Sequence, residues 1–248
     1  MTATGRVHAE FAAAGKSFLR RRTAVFFTFF FPVLLIVIFG VLVGTQPTGG
    51  GLFSKAPGYY VPAYLAVVVL LTPLSRVGST VARFRDGSRF EKLATTPLTR
   101  PEWLLAHTLV NVVVIGLASL IILVLVVFVT GANISLSLAV IPFVAVAVAL
   151  FCGLGALIGS LAGSTDGVIA ASNAIGLPLL FLSETFISPD LLPGWFRPVM
   201  NLSPLTYFAR GVRNLTFAGG PWTFDFMVLC VVAVVVFALG AYALPETD

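Results

Sequence analysis

The stretch RFRDGSRFEKLATTPLTRPEWL, residues Arg83–Leu104, is the longest polar interval in a chain that is otherwise strongly apolar. Ser88 and Glu91 have the S-x-x-E spacing of a capping box, which predicts the start of a helix. Phe90 and Leu93 then share one helical face, with charged side chains on another. The helix should end before the following proline, because a residue that precedes proline is pushed out of the α region.

A second helix start lies in the same interval. Thr99 and Glu102 form another capping-box pattern, with Pro101 tolerated in the first turn. Trp103 and a long apolar run follow. The interval therefore predicts a short, basic, amphipathic helix over 88–94 between two apolar segments, where it can contact something outside a bilayer.

The composition of the whole chain indicates an all-α integral membrane protein. Of its 248 residues, 58% are hydrophobic and only 10% are charged, and the mean hydropathy is +1.03. A soluble domain carries about a quarter charged residues. In a membrane chain the net charge of +5 reports topology, so no nucleic-acid partner is expected.

Six apolar segments have close to the roughly 20 residues that a membrane-spanning helix needs. The first is too long for the apolar part of a cleavable signal peptide and is interpreted as a retained span. The predicted spans are 24–44, 60–82, 103–129, 136–162, 167–187 and 222–244 of a single transmembrane domain, 1–248.

Residues 5–22 precede the first span and carry apolar side chains at helical spacing, with basic side chains mostly on other faces. This pattern predicts an interfacial helix attracted to anionic headgroups. A mobile basic tail is the alternative. The apolar positions are Val7, Phe11, Ala14 and Phe18.

The distribution of Lys and Arg predicts the orientation. Five lie in the N-terminal tail and six lie in or beside the second loop, whereas the first loop has one and the stretch between spans five and six has three. The positive-inside rule therefore places both termini and the helix at 88–94 in the cytoplasm.

The segment 184–221 is too long for a simple loop and too apolar for water. Four prolines divide it, and its aromatic residues suit the headgroup region, which predicts short helices re-entering the outer leaflet. Glu184 lies where the fifth span meets this segment. It could line an outward gate or be a water-exposed carboxylate.

Glycines recur every four residues at the end of the fourth span, at Gly155, Gly159 and, directly after it, Gly163. Such a row lets another helix approach closely. Packing within the chain is the first interpretation, and a contact between subunits is the second.

The sequence lacks the residue patterns that several other classes of protein require. Ala14–Ser17 resembles the end of a phosphate-binding loop, but Glu10 occupies the position of the required first glycine, so no nucleotide site is expected here. No catalytic, metal-ligating or cofactor-binding residue is predicted. A secondary carrier or channel remains an alternative, although the acidic residues near the spans lie at their ends. A membrane-embedded lipid-modifying enzyme is a third, less favoured alternative.

Two stretches resemble the permease subunit of type-2 ATP-binding-cassette transporters, most of them bacterial exporters. One is Arg85–Pro97 followed by Arg100-Pro101-Glu102. The other is Phe181-Leu182-Ser183 through Leu192-Pro193-Gly194-Trp195, then Asn201–Tyr207 and Arg210. Glu184 departs from the glycine that many members have after the serine.

The resemblance implies two permease chains, identical or paralogous, with two ATPase subunits that hold ATP and Mg in a bacterial plasma membrane. The helix at 88–94 would be the coupling helix, with Phe90 and Leu93 as its anchors on the ATPase. The substrate would be hydrophobic or amphiphilic: a drug, a lipid or a lipid-linked molecule. Coupling is expected of Arg85, Ser88, Arg89, Phe90, Glu91, Lys92 and Leu93, and gating of Glu184, Phe186, Trp195 and Tyr207.

Overall fold

The computed structural model describes residues 2–42 and 55–245, and within these ranges all regular structure is helical. The all-α prediction is confirmed. The α-helices are α1 (Ala3–Leu19), α2 (Arg22–Ile36), α3 (Val61–Asp86), α4 (Arg89–Ala94), α5 (Arg100–Thr130), α6 (Val140–Leu161), α7 (Thr165–Phe181), α8 (Arg197–Met200), α9 (Pro204–Arg213) and α10 (Thr223–Ala243). Single turns of other helix types lie at Val37–Leu42, Pro57–Tyr60, Pro189–Leu191 and Asn214–Ala218.

Five helical stretches of the described chain are long and apolar enough to span a membrane. They are Arg22–Gly40, Pro57–Asp86, Arg100–Thr130, Val140–Leu161 and Thr223–Ala243. The fifth predicted span, 167–187, is shorter than expected, because α7 has 17 residues and ends at Phe181. Two buried hydroxyls, of Ser183 and Thr185, donate to the Leu180 carbonyl and end the helix there. The expectation of six full spans is therefore not confirmed.

The helix α3 lies at the centre of the fold and packs against α6, α7, α5 and α9. Every residue from Val61 to Leu70 is buried. The glycines of α6 give the closest approach, since a Cβ at Gly159 would lie 2.4 Å from the Gly78 carbonyl oxygen of α3. Gly155 and Gly159 therefore pack against α3 of the same chain, as the first interpretation of the glycine row predicted.

The N-terminal helix α1 lies along the first half of α5. An ion pair joins Arg6 and Glu102 at 2.5 Å, and the buried Phe18 packs with Val110 and Val114 farther along. The helical interpretation of residues 5–22 is thus the one that the structure shows, and its apolar face is covered by α5.

Candidate functional site

A turn of two residues joins α3 to α4. Ser88 has φ 48° and ψ 35°, the left-handed conformation, and it is the one non-glycine residue with positive φ in the described ranges. Its side chain makes no cap hydrogen bond. The predicted Ser88–Glu91 capping box is therefore wrong, because an N-cap needs extended backbone that this tight turn does not allow.

The second predicted cap is present at the start of α5. The Thr99 backbone N–H donates to Glu102 Oε2 at 2.9 Å, in a capping box. The same carboxylate binds Arg6 of α1, and this hydrogen bond raises the pKa of the Arg6 guanidinium. Glu102 thus fixes both the start of α5 and the position of α1.

Phe90 packs into its own chain. Its ring lies 5.7 Å from that of Phe84 on α3 and 5.4 Å from that of Trp103 on α5, and the residue is only 7% exposed. Leu93 is half-buried against the same core. This corrects the expectation that Phe90 is an anchor on the surface of a partner: it attaches α4 to α3 and α5.

The outward face of α4 carries charge. Arg89, Glu91 and Lys92 are exposed. Arg85 instead turns towards α6, where its guanidinium donates to the Ser160 carbonyl at 2.7 Å and also to that of Ala162. A cation at these carbonyls complements the negative end of the helix dipole. The predicted coupling residues therefore serve two purposes. Arg89, Glu91 and Lys92 form an exposed charged face. Arg85, Phe90 and Leu93 attach this part of the chain to the neighbouring helices.

At the opposite end of the molecule, Glu184 is the centre of a buried charge cluster. Arg210 Nε donates to Glu184 Oε1 at 2.8 Å, and a second nitrogen of Arg210 donates to Asn201 Oδ1 at 2.7 Å. Arg213 lies 3.9 Å from Glu184 Oε2 and also donates to the Glu184 backbone carbonyl. The carboxylate therefore joins the end of α7 to α9.

The same cluster reaches the start of α3. The Arg213 guanidinium lies 4.0 Å from the centre of the Tyr59 ring, and its Nε donates to the Tyr59 carbonyl at 3.4 Å. Hydrogen bonding to Glu184 raises the pKa of Arg210, while burial lowers the pKa of Arg213. The half-buried Arg210 and the buried Arg213 share one carboxylate, so this junction depends on Glu184.

The other predicted gate residues lie around this cluster rather than in it. Phe186 is half-buried between the rings of Phe39 and Phe181, at 6.2 and 6.4 Å. Trp195 is 75% exposed, against Phe196, and Tyr207 is half-buried on α9.

The sequence-based gate set omits Arg210 and Arg213. Arg213 enters the sequence analysis only as a topological charge, and Arg210 enters it as a topological charge and as part of the resemblance. The two arginines are three residues apart next to an apolar segment, so they share one face of a helix, and this spacing could have indicated a common partner. The described part of the chain has no group of three or more His, Cys, Asp or Glu side chains that could hold a metal ion.

Comparisons with known proteins agree with this arrangement. Residues 8–217 match the family model described as "ABC-2 type transporter". The chain is also similar to the daunorubicin resistance ABC transporter permease protein DrrB1 of Streptomyces coeruleorubidus. The two are 26% identical over 219 residues, which cover 84% of this chain and 74% of the relative.

Proposed function

The chain belongs to the ABC-2 type transporter family as a permease subunit, and on this premise we propose that it moves a hydrophobic or amphiphilic compound out of the cytoplasm or inner leaflet. ATP hydrolysis on a separate pair of ATPase subunits supplies the energy, and a second permease chain completes the pathway. The relative is named for daunorubicin resistance, which favours a drug among the substrate classes.

The observation that carries the proposal is the way in which α4 is held. It is six residues long, it joins two long helices, and it exposes Arg89, Glu91 and Lys92 while Phe90 packs against Phe84 and Trp103. A force on the charged face is therefore transmitted to α3 and α5 together. Charged groups at the surface of an interface favour the correct partner and orientation.

A contact path runs from α4 to the opposite end of the fold. The helix α3 packs tightly on α6 and α7. The 3-10 turn that precedes it, Pro57–Tyr60, contacts α9 through Tyr59 and Arg213. Packed interiors shift as units because they contain few voids. Movement of α4 would therefore reach the Glu184 cluster, which we place at the outward gate.

Reconstitution tests this function. The full chain and the ATPase subunit that co-purifies with it are reconstituted into proteoliposomes, and daunorubicin accumulation in the lumen is measured with and without external ATP. We expect ATP-dependent accumulation that persists when an ionophore collapses the proton gradient. Accumulation that needs the gradient and not ATP would indicate a secondary carrier and contradict the proposal.

A charge reversal at α4 examines the coupling step. Glu91→Lys changes an exposed residue of α4, and Asp190→Lys makes the same change at an exposed residue of the opposite end. We expect at least a tenfold loss of ATP-dependent accumulation for Glu91→Lys and near-normal accumulation for Asp190→Lys. Equal activity of the two variants would exclude α4 as the site of coupling.

A further inference from the structure

Two adjoining cavities lie near the α4 end of the molecule. The larger, of about 730 Å³, is bounded by α1, α3, α4 and the start of α5. The smaller, of about 470 Å³, lies between α2, α3 and α7. They meet at a shared wall formed by Phe18, Arg21, Ala24, Arg76 and Arg83.

The larger cavity is strongly basic. Five cationic side chains line it: Arg21, Arg76, Arg83, Arg89 and Lys92. Its one acidic residue, Glu10, contacts His107 at 3.1 Å. None of the ion pairs found among the described residues involves any of the five cations. The cavity therefore has an excess of positive charge that the described chain does not neutralise.

Arg76 lies deepest of these cations. It is ten residues before Asp86, the last residue of α3, which corresponds to about 15 Å along the helix axis. Its guanidinium contacts the Phe18 ring at 4.1 Å and donates to Asn111 Oδ1 at 3.3 Å, both of which are uncharged. An ionised side chain at this depth is costly and is usually paired, so Arg76 indicates a functional site.

The smaller cavity continues from these arginines as an apolar groove. Phe27, Phe31, Leu71 and Ile169 line it, and hydroxyl side chains of α3 lie nearer the arginines. The joint site thus has a cationic head region, which matches a phosphate, and a hydrocarbon-lined extension. Arginine is well suited to the head because its planar donors can bind two phosphate oxygens at once.

We propose that this pair of cavities binds one anionic phospholipid from the leaflet at the α4 end. Its phosphate lies among Arg21, Arg76 and Arg83, and an acyl chain follows Phe27, Phe31 and Leu71. The lipid touches α1, α2, α3 and α7, so it holds the N-terminal helices against the helix that carries α4. The binding is a property of this chain and does not depend on the transported substrate.

Native mass spectrometry of the purified full chain in detergent tests the site. Dioleoyl phosphatidylglycerol and dioleoyl phosphatidylcholine are titrated separately, and glycerol 1-phosphate serves as the headgroup without acyl chains. The variants are Arg76→Gln, Arg83→Gln and Ala24→Trp, the last of which narrows the join between the cavities. Arg197→Gln is the control, because it removes the same charge from an exposed position on α8.

The expected result is that phosphatidylglycerol binds at least about tenfold more tightly than phosphatidylcholine. Arg76→Gln and Arg83→Gln should each weaken phosphatidylglycerol binding about tenfold, as loss of a charge-assisted hydrogen bond does. Ala24→Trp should weaken it as well, and Arg197→Gln should leave it unchanged. If Arg76→Gln does not fold, Arg83→Gln decides the role of the cations.

Three results would overturn the proposal. The first is equal affinity for the two lipids. The second is a loss in Arg197→Gln as large as that in Arg83→Gln, which would indicate a general effect of surface charge. The third is binding of glycerol 1-phosphate as tight as that of phosphatidylglycerol together with normal lipid binding by Ala24→Trp, which would show a site for free phosphate rather than for a lipid.

Discussion

Glu184 illustrates how one buried carboxylate can hold several elements together. It is 6% exposed and faces both Arg210 and Arg213, and the latter is itself buried. Removing one member of a buried ion pair leaves the other charge buried and unpaired. The loss of stability is then larger than the stability that the pair itself contributes. The junction between α7, α9 and the start of α3 therefore depends on this one side chain.

We expect Glu184→Gln to lower the free energy of unfolding by about 3–5 kcal/mol, since both arginines lose their carboxylate. Asp190→Asn is the matched control, because Asp190 forms an exposed ion pair with Lys55 at 3.5 Å. Exposed pairs contribute at most about 1 kcal/mol. Thermal unfolding of the two purified variants in detergent gives the comparison, and equal melting temperatures would contradict the role of Glu184.

Phe90 provides the attachment of α4, so its truncation should release that helix. We expect Phe90→Ala to cost about 3–5 kcal/mol of local packing and to expose the α4 segment. Trypsin cleavage after Arg89 and Lys92 should then become several-fold faster. Thr95→Ala, at an exposed neighbouring position, should be cleaved at the normal rate, and an unchanged rate in Phe90→Ala would contradict the packing described.

These two residues also show what the sequence can and cannot predict. The helix at 88–94 is local information, because polar composition and the following proline define it. Which face of it is buried depends on Trp103 of the next helix, and local spacing does not contain that contact. The partners of Glu184 lie 26 and 29 residues away, so their pairing follows only from the packing of α9.

The helices α3 and α6 lie close together, and glycine is what permits this contact. A Cβ at Gly155 would lie 2.6 Å from the Leu74 carbonyl oxygen, and one at Gly159 would lie 2.4 Å from that of Gly78. Real Cβ atoms do not come so near to backbone. The two helices must therefore separate if either glycine gains a side chain.

We expect Gly159→Ala to lower the free energy of unfolding by at least about 2 kcal/mol through overpacking. Gly116→Ala on α5 is the control, because a Cβ there meets nothing within 4 Å, and alanine is the better helix former. It should be neutral or slightly stabilising. Thermal unfolding and the amount of protein recovered from membranes measure both variants, and a tolerated Gly159→Ala would contradict the close packing.

The existence of the long helices was predictable from hydropathy, but their ends were less so. The end of α7 at Phe181 depends on the hydroxyls of Ser183 and Thr185 bonding back to Leu180. The polar triplet Ser183-Glu184-Thr185 marked that end in the sequence, but the predicted span continued through it to include Phe186 and Ile187. Arg76 lies within the predicted span 60–82, where a charged side chain indicates a functional site. The sequence analysis counted Arg76 only as one of the charges that set the orientation.

In the whole molecule, the described contacts form one path between the two ends. Aromatic packing of Phe90 fixes α4 to α3 and α5 and leaves its charged face exposed. Arg85 fixes α3 to the end of α6, and the turn before α3 reaches the Glu184 cluster. This arrangement supports the proposal that energy enters at α4 and opens the far end. It also requires that α4 face the cytoplasm and contact an ATPase.

The most direct test is the labelling of Glu91→Cys by a membrane-impermeant maleimide, in a chain whose two native cysteines, Cys152 and Cys230, are replaced by alanine. In inside-out vesicles we predict rapid labelling that slows markedly when the ATPase subunit is present. Labelling in right-side-out vesicles instead, or labelling in inside-out vesicles that the ATPase does not change, would contradict the proposed coupling through α4.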